Sequence, residues 1–514
     1  MIPNRRPRIL VVLAHFDELR NPYGRPAFIP QGVGHAFLAG AFHPDTTDVR
    51  IYSEFHSGPL LDEKLLGWPD MVVLTGVTSA FDRMRQITAH VRTLAPSAIV
   101  VAGGPAVRNL PGLSRRIFDY SCDGDIEELQ TLAAEVLGPS RAAAEMFPRF
   151  DLLGWKSPVN YVESSRYCNF RCSFCSLTGE GRTYQPYAPD YVERQILAQP
   201  RDRYLLFVDN NFYGNSRAAF RARLDLLRTL WRARRFKGWI ALVTNDFFAR
   251  PENLDLVRES GCVGLFSGVE SLNRDQLRRY RKTQNVATPQ LDAIRACLQS
   301  GIVFQYGMIF DPARQRLAEM QDELNFILDQ PDIPLPAFLT LAIPLLGTPF
   351  FRECMESGLF LPDAKLRDMD GFTLMTKPLD PLEELVPFVR TMSDMKAHRR
   401  QVLRHSYRFF RTYRRALPPR LMANMIANAA RLLVPRFTHN PGRMLSPRPG
   451  TEQLTYITST QPPGPLYRPA IRIAEQLRDH FEPTVITDAR GALHPMVEAD
   501  LGAERPAVPE SADA

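Results

Sequence analysis

Short apolar runs that read as buried strands alternate with helix-period segments along most of the chain. From residue 7 to about residue 135 the runs RILVVLA, DVRIYS, MVVLTG and AIVVAGG are nearly continuous in Val, Ile and Leu. Between them lie VGHAFLAGAF, FDRMRQITAHVRTLA and EELQTLAAEVLG, which carry their apolar residues at helical spacing. Strands covered on both faces lose the in-and-out alternation of a half-exposed sheet, so this pattern predicts a doubly wound, Rossmann-like parallel sheet. Ligands of such sheets sit at the C-terminal ends of the strands, here around TGVTS (75–79) and AGGPAV (102–107).

A proline-bearing connector, MFPRFDLLGWKSP, leads into a second series: VNYVESS, YLLFVDNNFYGN, WIALVTND, CVGLFSGVES, VFQYGMIFD and AFLTLAIPLLGTP. Six strand-like runs with helices between them predict a parallel barrel or most of one, a partial (β/α)6 TIM-like arrangement. After about residue 375 the chain turns helical and arginine-rich. The expected division is 1–148 for the doubly wound domain, 149–375 for the barrel, 376–495 for a helix-rich basic region and 496–514 for a disordered tail.

Composition narrows the class. Sixty-three Lys and Arg against 56 Asp and Glu leave a net charge of +7 on 514 residues, too mild an excess to mark a nucleic-acid binder. The opening RRPRILVVLAHFDELR begins like a secretory signal but breaks at His15 and Asp17, and reads better as a first strand. No segment reaches the roughly 18 apolar residues of a membrane span. Seven cysteines without framework spacing argue for a reducing cytoplasm.

The stretch SSRYCNFRCSFCSL places Cys168, Cys172 and Cys175 in eight positions. Structural zinc normally takes four protein ligands and disulfides take pairs. Histidines stand at 15, 35, 43, 56 and 90 and then not before 398, so none near the loop can complete a zinc shell. An iron–sulfur cube has four irons, and C-x3-C-x2-C can wrap three of them with thiolates and leave one open. This spacing, with Phe174 just before the third cysteine, resembles the radical S-adenosylmethionine (radical SAM) superfamily. The resemblance implies a [4Fe-4S] cluster on the three cysteines, with S-adenosylmethionine chelated at the open iron and split to a 5'-deoxyadenosyl radical. It also implies cofactor contacts further along. Asp209 and Asn210 of FVDNNFYGN would face the methionyl amine, and Gly268, Glu270 and Ser271 of SGVES would hold the ribose or carboxylate end. Gly307 of YGMIFD and Leu345 and Gly347 of IPLLGTP would line the adenine. Cys122, Cys262, Cys297 and Cys354 are scattered singly and read as core residues.

A doubly wound domain ahead of such a barrel resembles the cobalamin-binding class, which includes methylases of unreactive carbon or phosphorus and the anaerobic magnesium-protoporphyrin cyclase. DGDIEEL, with Gly124, is similar to a recurring acidic stretch of that domain. The cobalt-ligating D-x-H-x-x-G is absent: His35, His43 and His90 lack its flanking Asp and Gly. Bound cobalamin and a degenerate scaffold or substrate-binding domain therefore both stay open. The implied activity is cobalamin-dependent C-methylation of an unactivated carbon in a biosynthetic pathway. The alternatives are an oxidative cyclase or rearrangement enzyme on the same scaffold, and a non-catalytic iron–sulfur or cobalamin sensor. Expected partners are a hydrophobic or anionic small-molecule substrate and a flavodoxin- or ferredoxin-type reductant, with no nucleic acid. Without histidine in the barrel, proton transfer falls to other groups, with Tyr306 and Asp311 candidates by position only. The helix from Arg399 to Arg415 interleaves arginine with Tyr407, Phe409, Phe410 and Tyr413. It fits either a peripheral membrane contact or, the reading favoured here, aromatics packed on the barrel with solvated arginines.

Overall fold

The computed structural model describes residues 5–15, 32–154, 159–371, 373–393, 395–433, 445–447, 454–456 and 467–502. The first apolar runs form a parallel sheet of β1 (Arg8–Leu13), β2 (Asp48–Ser53), β3 (Met71–Thr75), β4 (Ile99–Gly103) and β5 (Tyr120–Cys122), in the order β2-β1-β3-β4-β5. Their continuous hydrophobicity has a direct cause. Leu10, Val12, Val72, Leu74 and Val100 pack with Phe81, Met84 and Ile87 of helix Phe81–Leu94. Ile9, Val11, Met71, Val73 and Val101 pack on the other face with Leu129, Leu132 and Ala133 of helix Ile126–Leu137. The strand order switches direction beside β1 and β3, which opens a crevice at their C-terminal ends.

The six runs of the second series form β6 (Val159–Val162), β7 (Tyr204–Phe207), β8 (Gly238–Leu242), β9 (Cys262–Glu270), β10 (Val303–Phe310) and β11 (Phe338–Leu341). All pair in parallel and in sequence order, with β6 and β11 at the edges, so the sheet is a half-barrel. Two domains meet in one core, in which Leu346, Phe350 and Phe351 pack with Leu10, Phe81 and Val107.

Helices Leu382–Ser393, Arg399–Tyr413 and Pro419–Arg431 follow the half-barrel. Val402, Phe409, Tyr413, Met422 and Met425 join the barrel core. Residues 467–502 return instead to the first domain. The Tyr467 hydroxyl donates to Asp82 Oδ2 at 2.8 Å, and Arg85 Nη1 donates to the Glu482 carbonyl at 2.8 Å. Part of the tail expected to be disordered is helical, over Pro495–Gly502. Val497 is buried there, and Asp500 accepts from the Gly112 and Leu113 amides at 2.7 and 3.0 Å, satisfying free N–H groups at the start of helix Pro111–Ile117. Residues 503–514, the rest of that tail, lie outside the described residues.

Candidate functional site

The cysteine loop leaves the C-terminal end of β6, where barrel enzymes keep their chemistry. Its exit is fixed by Asp209 at the end of β7. That buried carboxylate accepts from the Ser164 amide at 2.6 Å, the Ser165 amide at 3.2 Å and the Ser164 hydroxyl, with Arg223 Nη1 at 4.0 Å. The Asp209 oxygens, which the sequence assigned together with Asn210 to the methionyl amine, hold the turn that launches the loop. Asn210 is exposed and faces a cavity between the domains. Its neighbour Asn211, not singled out from sequence, reaches the loop through a 2.7 Å bond from Nδ2 to Asn169 Oδ1.

Within the loop, the Ser173 amide donates to the Tyr280 carbonyl at 2.9 Å, and the Ser173 carbonyl accepts from the Phe350 amide at 3.0 Å. The Thr178 hydroxyl donates to the Cys172 carbonyl at 2.8 Å, and Phe174 sets its ring edge-on to Tyr280 at 5.0 Å. Cys172 is buried, Cys168 and Cys175 are half-buried, and all three thiols are free. Burial pushes the Cys168 thiol up and the Cys175 thiol up to about 11, because the charged sulfur loses water.

Two residues missed from sequence oppose that penalty. Buried Lys282 lies beside Cys172 and Cys175, pairs with Glu270 Oε1 at 2.9 Å and sits 5.8 Å from the Phe174 ring centre. Gln284 Nε2 donates to Cys172 Sγ at 3.6 Å. Nothing local in RKTQN announces these contacts; they arise when the segment after β9 folds back over the cysteines.

Among the described residues no three His, Cys, Asp or Glu converge to hold one metal ion. A cubane cluster takes each thiolate on a different iron, so three thiols spread around one loop match its needs better than a converging trio does. The donor set, all sulfur with a buried cation and an amide donor beside it, fits a [4Fe-4S] cluster.

The other cofactor candidates separate. Glu270 ends β9 at a register shift with φ 61°, and a Cβ on Gly268 would fall 2.1 Å from Glu270 Oε1, so glycine there leaves room for the Glu270–Lys282 pair. The Ser271 hydroxyl donates to Glu323 Oε1 at 2.8 Å. Gly307 lies in β10 between Phe266 and Phe338. The Leu345 carbonyl accepts from the Thr348 hydroxyl at 2.6 Å. Gly347, at φ 77°, would drive a Cβ to 2.2 Å from Asn109 Oδ1, and its carbonyl lies 2.9 Å from where a Cβ on Gly179 would sit. The 345–348 turn is therefore wedged between the first domain and the helix that follows Cys175. Buried polar atoms without a partner among the described residues, Ser165 Oγ, Asn211 Oδ1, Gln284 Oε1 and Asn285 Oδ1, belong to these same segments and would be satisfied by a polar ligand.

Tyr306 donates to the Pro334 carbonyl at 2.9 Å and Asp311 pairs with Arg314 at 3.1 Å, structural uses for both. Cys262, Cys297 and Cys354 are buried, whereas Cys122 is half-buried and borders the inter-domain cavity.

That cavity, about 440 Å³, is lined by Thr75, Gly103 and Gly104 at strand ends of the first sheet and by Glu163, Arg166 and Tyr167 of the barrel. Gly104, at φ 112°, approaches so closely that a Cβ would lie 2.8 Å from the Gly76 carbonyl oxygen. Arg166 ties the domains together, with Nη1 2.7 Å from Glu127 Oε1 and 3.2 Å from Asp125 Oδ2, and Nε 3.3 Å from Glu163 Oε2. Burial outweighs Arg166 and pushes the Glu163 carboxyl up to about 7. His35 near the crevice is fully buried, and burial lowers its pKa to about 4.

Residues 162–314 match the model of the Radical SAM superfamily. Over 361 residues the chain is 27% identical to the hopanoid C-2 methylase of Rhodopseudomonas palustris (strain TIE-1), covering 65% of this chain and 66% of that protein. Over 218 residues it is 27% identical to the bacteriochlorophyllide d C-8(2)-methyltransferase of Chlorobaculum tepidum, covering 40% and 46%. The chain thus spans less than two-thirds of either relative. Among solved structures, the cobalamin-dependent S-adenosylmethionine radical enzyme OxsB, with aqua-cobalamin and S-adenosylmethionine bound, shares the fold with a TM-score of 0.55 at 16% identity over 82% of this chain and 70% of that one. The core thus resembles the Radical SAM superfamily over residues 162–314, and the fold, with a doubly wound domain whose strand ends open onto that core, resembles that of the cobalamin-dependent enzyme OxsB.

Proposed function

We propose that this protein is a radical SAM methyltransferase that methylates an unactivated carbon of a hydrophobic biosynthetic intermediate and carries cobalamin between its two domains. One observation carries the reading: the strand ends of the first domain and the residues flanking the cysteine loop, Tyr167 and Leu177, line the same cavity. A carrier held on the first sheet would there face the mouth of the half-barrel. When bound, the cluster supplies the electron that splits S-adenosylmethionine, and the corrinoid supplies the methyl group. The chain's own residues bind and orient. Cys168, Cys172 and Cys175 hold the cluster, Lys282 and Gln284 offset the buried thiolate charge, and the unpartnered amide oxygens of Asn211 and Asn285 offer acceptors to a cationic amine. The lipid and tetrapyrrole methylases among its relatives support a large apolar substrate. Seven free cysteines favour the cytoplasm, with a flavodoxin- or ferredoxin-type protein as electron donor.

Anaerobic reconstitution tests this. Iron and sulfide should approach about four each per chain, and reductant with S-adenosylmethionine should release 5'-deoxyadenosine. A corrinoid absorption band should appear after loading, and Cys172→Ala should lose the cluster while Cys297→Ala keeps it. Failure to release 5'-deoxyadenosine refutes the radical reading, and release with a cyclised, unmethylated product favours the oxidative cyclase.

A further inference from the structure

Helix Arg399–Tyr413 is two-faced in an unusual way. Val402, His405, Phe409 and Tyr413 are buried, with His405 Nε2 3.0 Å from the Ile333 carbonyl oxygen and the Tyr413 hydroxyl donating to the Asp332 carbonyl at 2.7 Å. The aromatic residues do not all follow them inward. Leu403, Tyr407 and Phe410 are 53%, 62% and 43% exposed, and their i, i+4, i+7 spacing aligns them along one ridge. Three of the eleven large hydrophobic residues that the described structure exposes are therefore on this one helix.

The charge around the ridge is equally one-sided. From Lys396 to Arg431 the chain has ten Lys or Arg and no Asp or Glu, more positive charge than the +7 of the whole chain. On other helices, exposed arginines find acids three residues away: Arg258 with Asp255, Arg278 with Asp275. Arg399, Arg400, Arg404, Arg408, Arg411, Arg414 and Arg415 pair with no acid among the described residues. At about 100° per residue, Arg414 lies in line with the ridge, Arg399 on one flank and Arg400 and Arg411 on the other. A solvated helix gains nothing from an apolar ridge inside a fence of unpaired cations, whereas an anionic bilayer surface satisfies both.

We propose that helix Arg399–Tyr413 docks the protein on anionic lipid membranes, with Leu403, Tyr407 and Phe410 entering the headgroup boundary and the flanking arginines meeting lipid phosphates. The contact is peripheral, since no helix among the described residues is long and apolar enough to cross a membrane. The helix rests on the turn before β11, the N-terminal end of the parallel sheet, while the cysteine loop leaves the opposite end. Docking is thus independent of the chemistry at the loop and leaves the loop uncovered.

Co-sedimentation of the full chain with vesicles tests it. The protein should pellet with phosphatidylcholine vesicles containing roughly one-third phosphatidylglycerol, release in raised salt, and ignore pure phosphatidylcholine. The triple variant Arg400→Glu/Arg404→Glu/Arg411→Glu should bind at least on the order of 100-fold more weakly. Leu403→Ser/Tyr407→Ser/Phe410→Ser should retain only weak, fully salt-reversible binding. All six positions are exposed, so melting temperature and 5'-deoxyadenosine release should stay as in the parent. No binding to the anionic vesicles, equal binding by the arginine variant, tighter binding to RNA than to vesicles, or a dimer that the ridge variant abolishes would each overturn the proposal.

Discussion

Asp209 separates a ligand contact from a scaffold contact, and the two make opposite forecasts. Replacing it by Ala strands the Ser164 and Ser165 amides and the Ser164 hydroxyl in a buried site, and removes the negative charge nearest Arg223, whose side chain is only 4% exposed. An unmade buried hydrogen bond costs about 1–3 kcal/mol, and breaking one side of a buried charge pair about 3–5 kcal/mol. The terms share atoms, and Arg223 keeps its bonds to the Phe212 carbonyl and the Tyr184 hydroxyl, so the expected loss is about 4 kcal/mol rather than their sum. Asp209→Asn keeps one oxygen for the two amides and should lose about half as much. For a unit of this size 1 kcal/mol moves the melting temperature by about 2–4 °C, so the cluster-free Ala variant should melt about 8–16 °C below the parent. Circular dichroism on the apo protein reads this, and titration of the reconstituted protein with S-adenosylhomocysteine reads ligand affinity. An unchanged melting temperature with lost affinity would put the carboxylate on the ligand and refute the scaffold role.

Three further outcomes follow from the same geometry. Glu163 ionises near 4.5 when unfolded and near 7 when folded, so the folded state holds the extra proton in that window and stability falls as pH rises from about 4.5 to 7, by about 2–3 kcal/mol; Glu163→Gln should flatten that slope, and an unchanged slope contradicts the assignment. Gly347→Ala should destabilise by about 1–3 kcal/mol through its positive φ and the collision with Asn109, and Asn109→Ala in the same chain should relieve the collision but not the φ strain, which a double-mutant cycle on urea midpoints measures. Lys282→Met removes a buried positive charge beside Cys172 and Cys175, so under the proposed function iron retained after reconstitution should drop and the cluster potential should fall by roughly 50–100 mV at an effective dielectric of about 20; an unchanged potential by redox titration would place the lysine's role elsewhere.

Both sheets were legible because a strand buried on two faces leaves an apolar run that few other structures require, and the cysteine loop because its spacing is local. β5 was not legible: Tyr120–Cys122 is three residues with Tyr120 exposed, and the carboxylate of Asp119 anchors it by accepting from the Val100 amide at 2.8 Å. Helix Pro495–Gly502 depends on amides 387 and 388 residues away, beyond any periodicity argument. Asp209 was legible as a polar strand end, but the direction of its side chain was not, because a strand end can face the ligand or the neighbouring loop with the same sequence.

The contacts that the sequence does not announce share one physical cause. A loop that is to present three thiolates from a partly buried place must be rigid and electrostatically compensated, and neither requirement can be met by the loop itself, which has only eight residues from Cys168 to Cys175. Rigidity comes from Asp209, from the Tyr280 and Phe350 backbone and from the 345–348 turn, which Gly179 and Gly347 allow to close on the helix after Cys175. Compensation comes from Lys282, held in place by Glu270 across the gap that Gly268 leaves. Strand-end motifs that look like a cofactor pocket are therefore partly the frame of the cysteine loop. The same polar residue type suits both tasks, and only which atoms are already satisfied separates them: Asp209 and Ser271 are occupied by protein, while the oxygens of Asn211, Gln284 and Asn285 have no hydrogen-bond partner among the described residues.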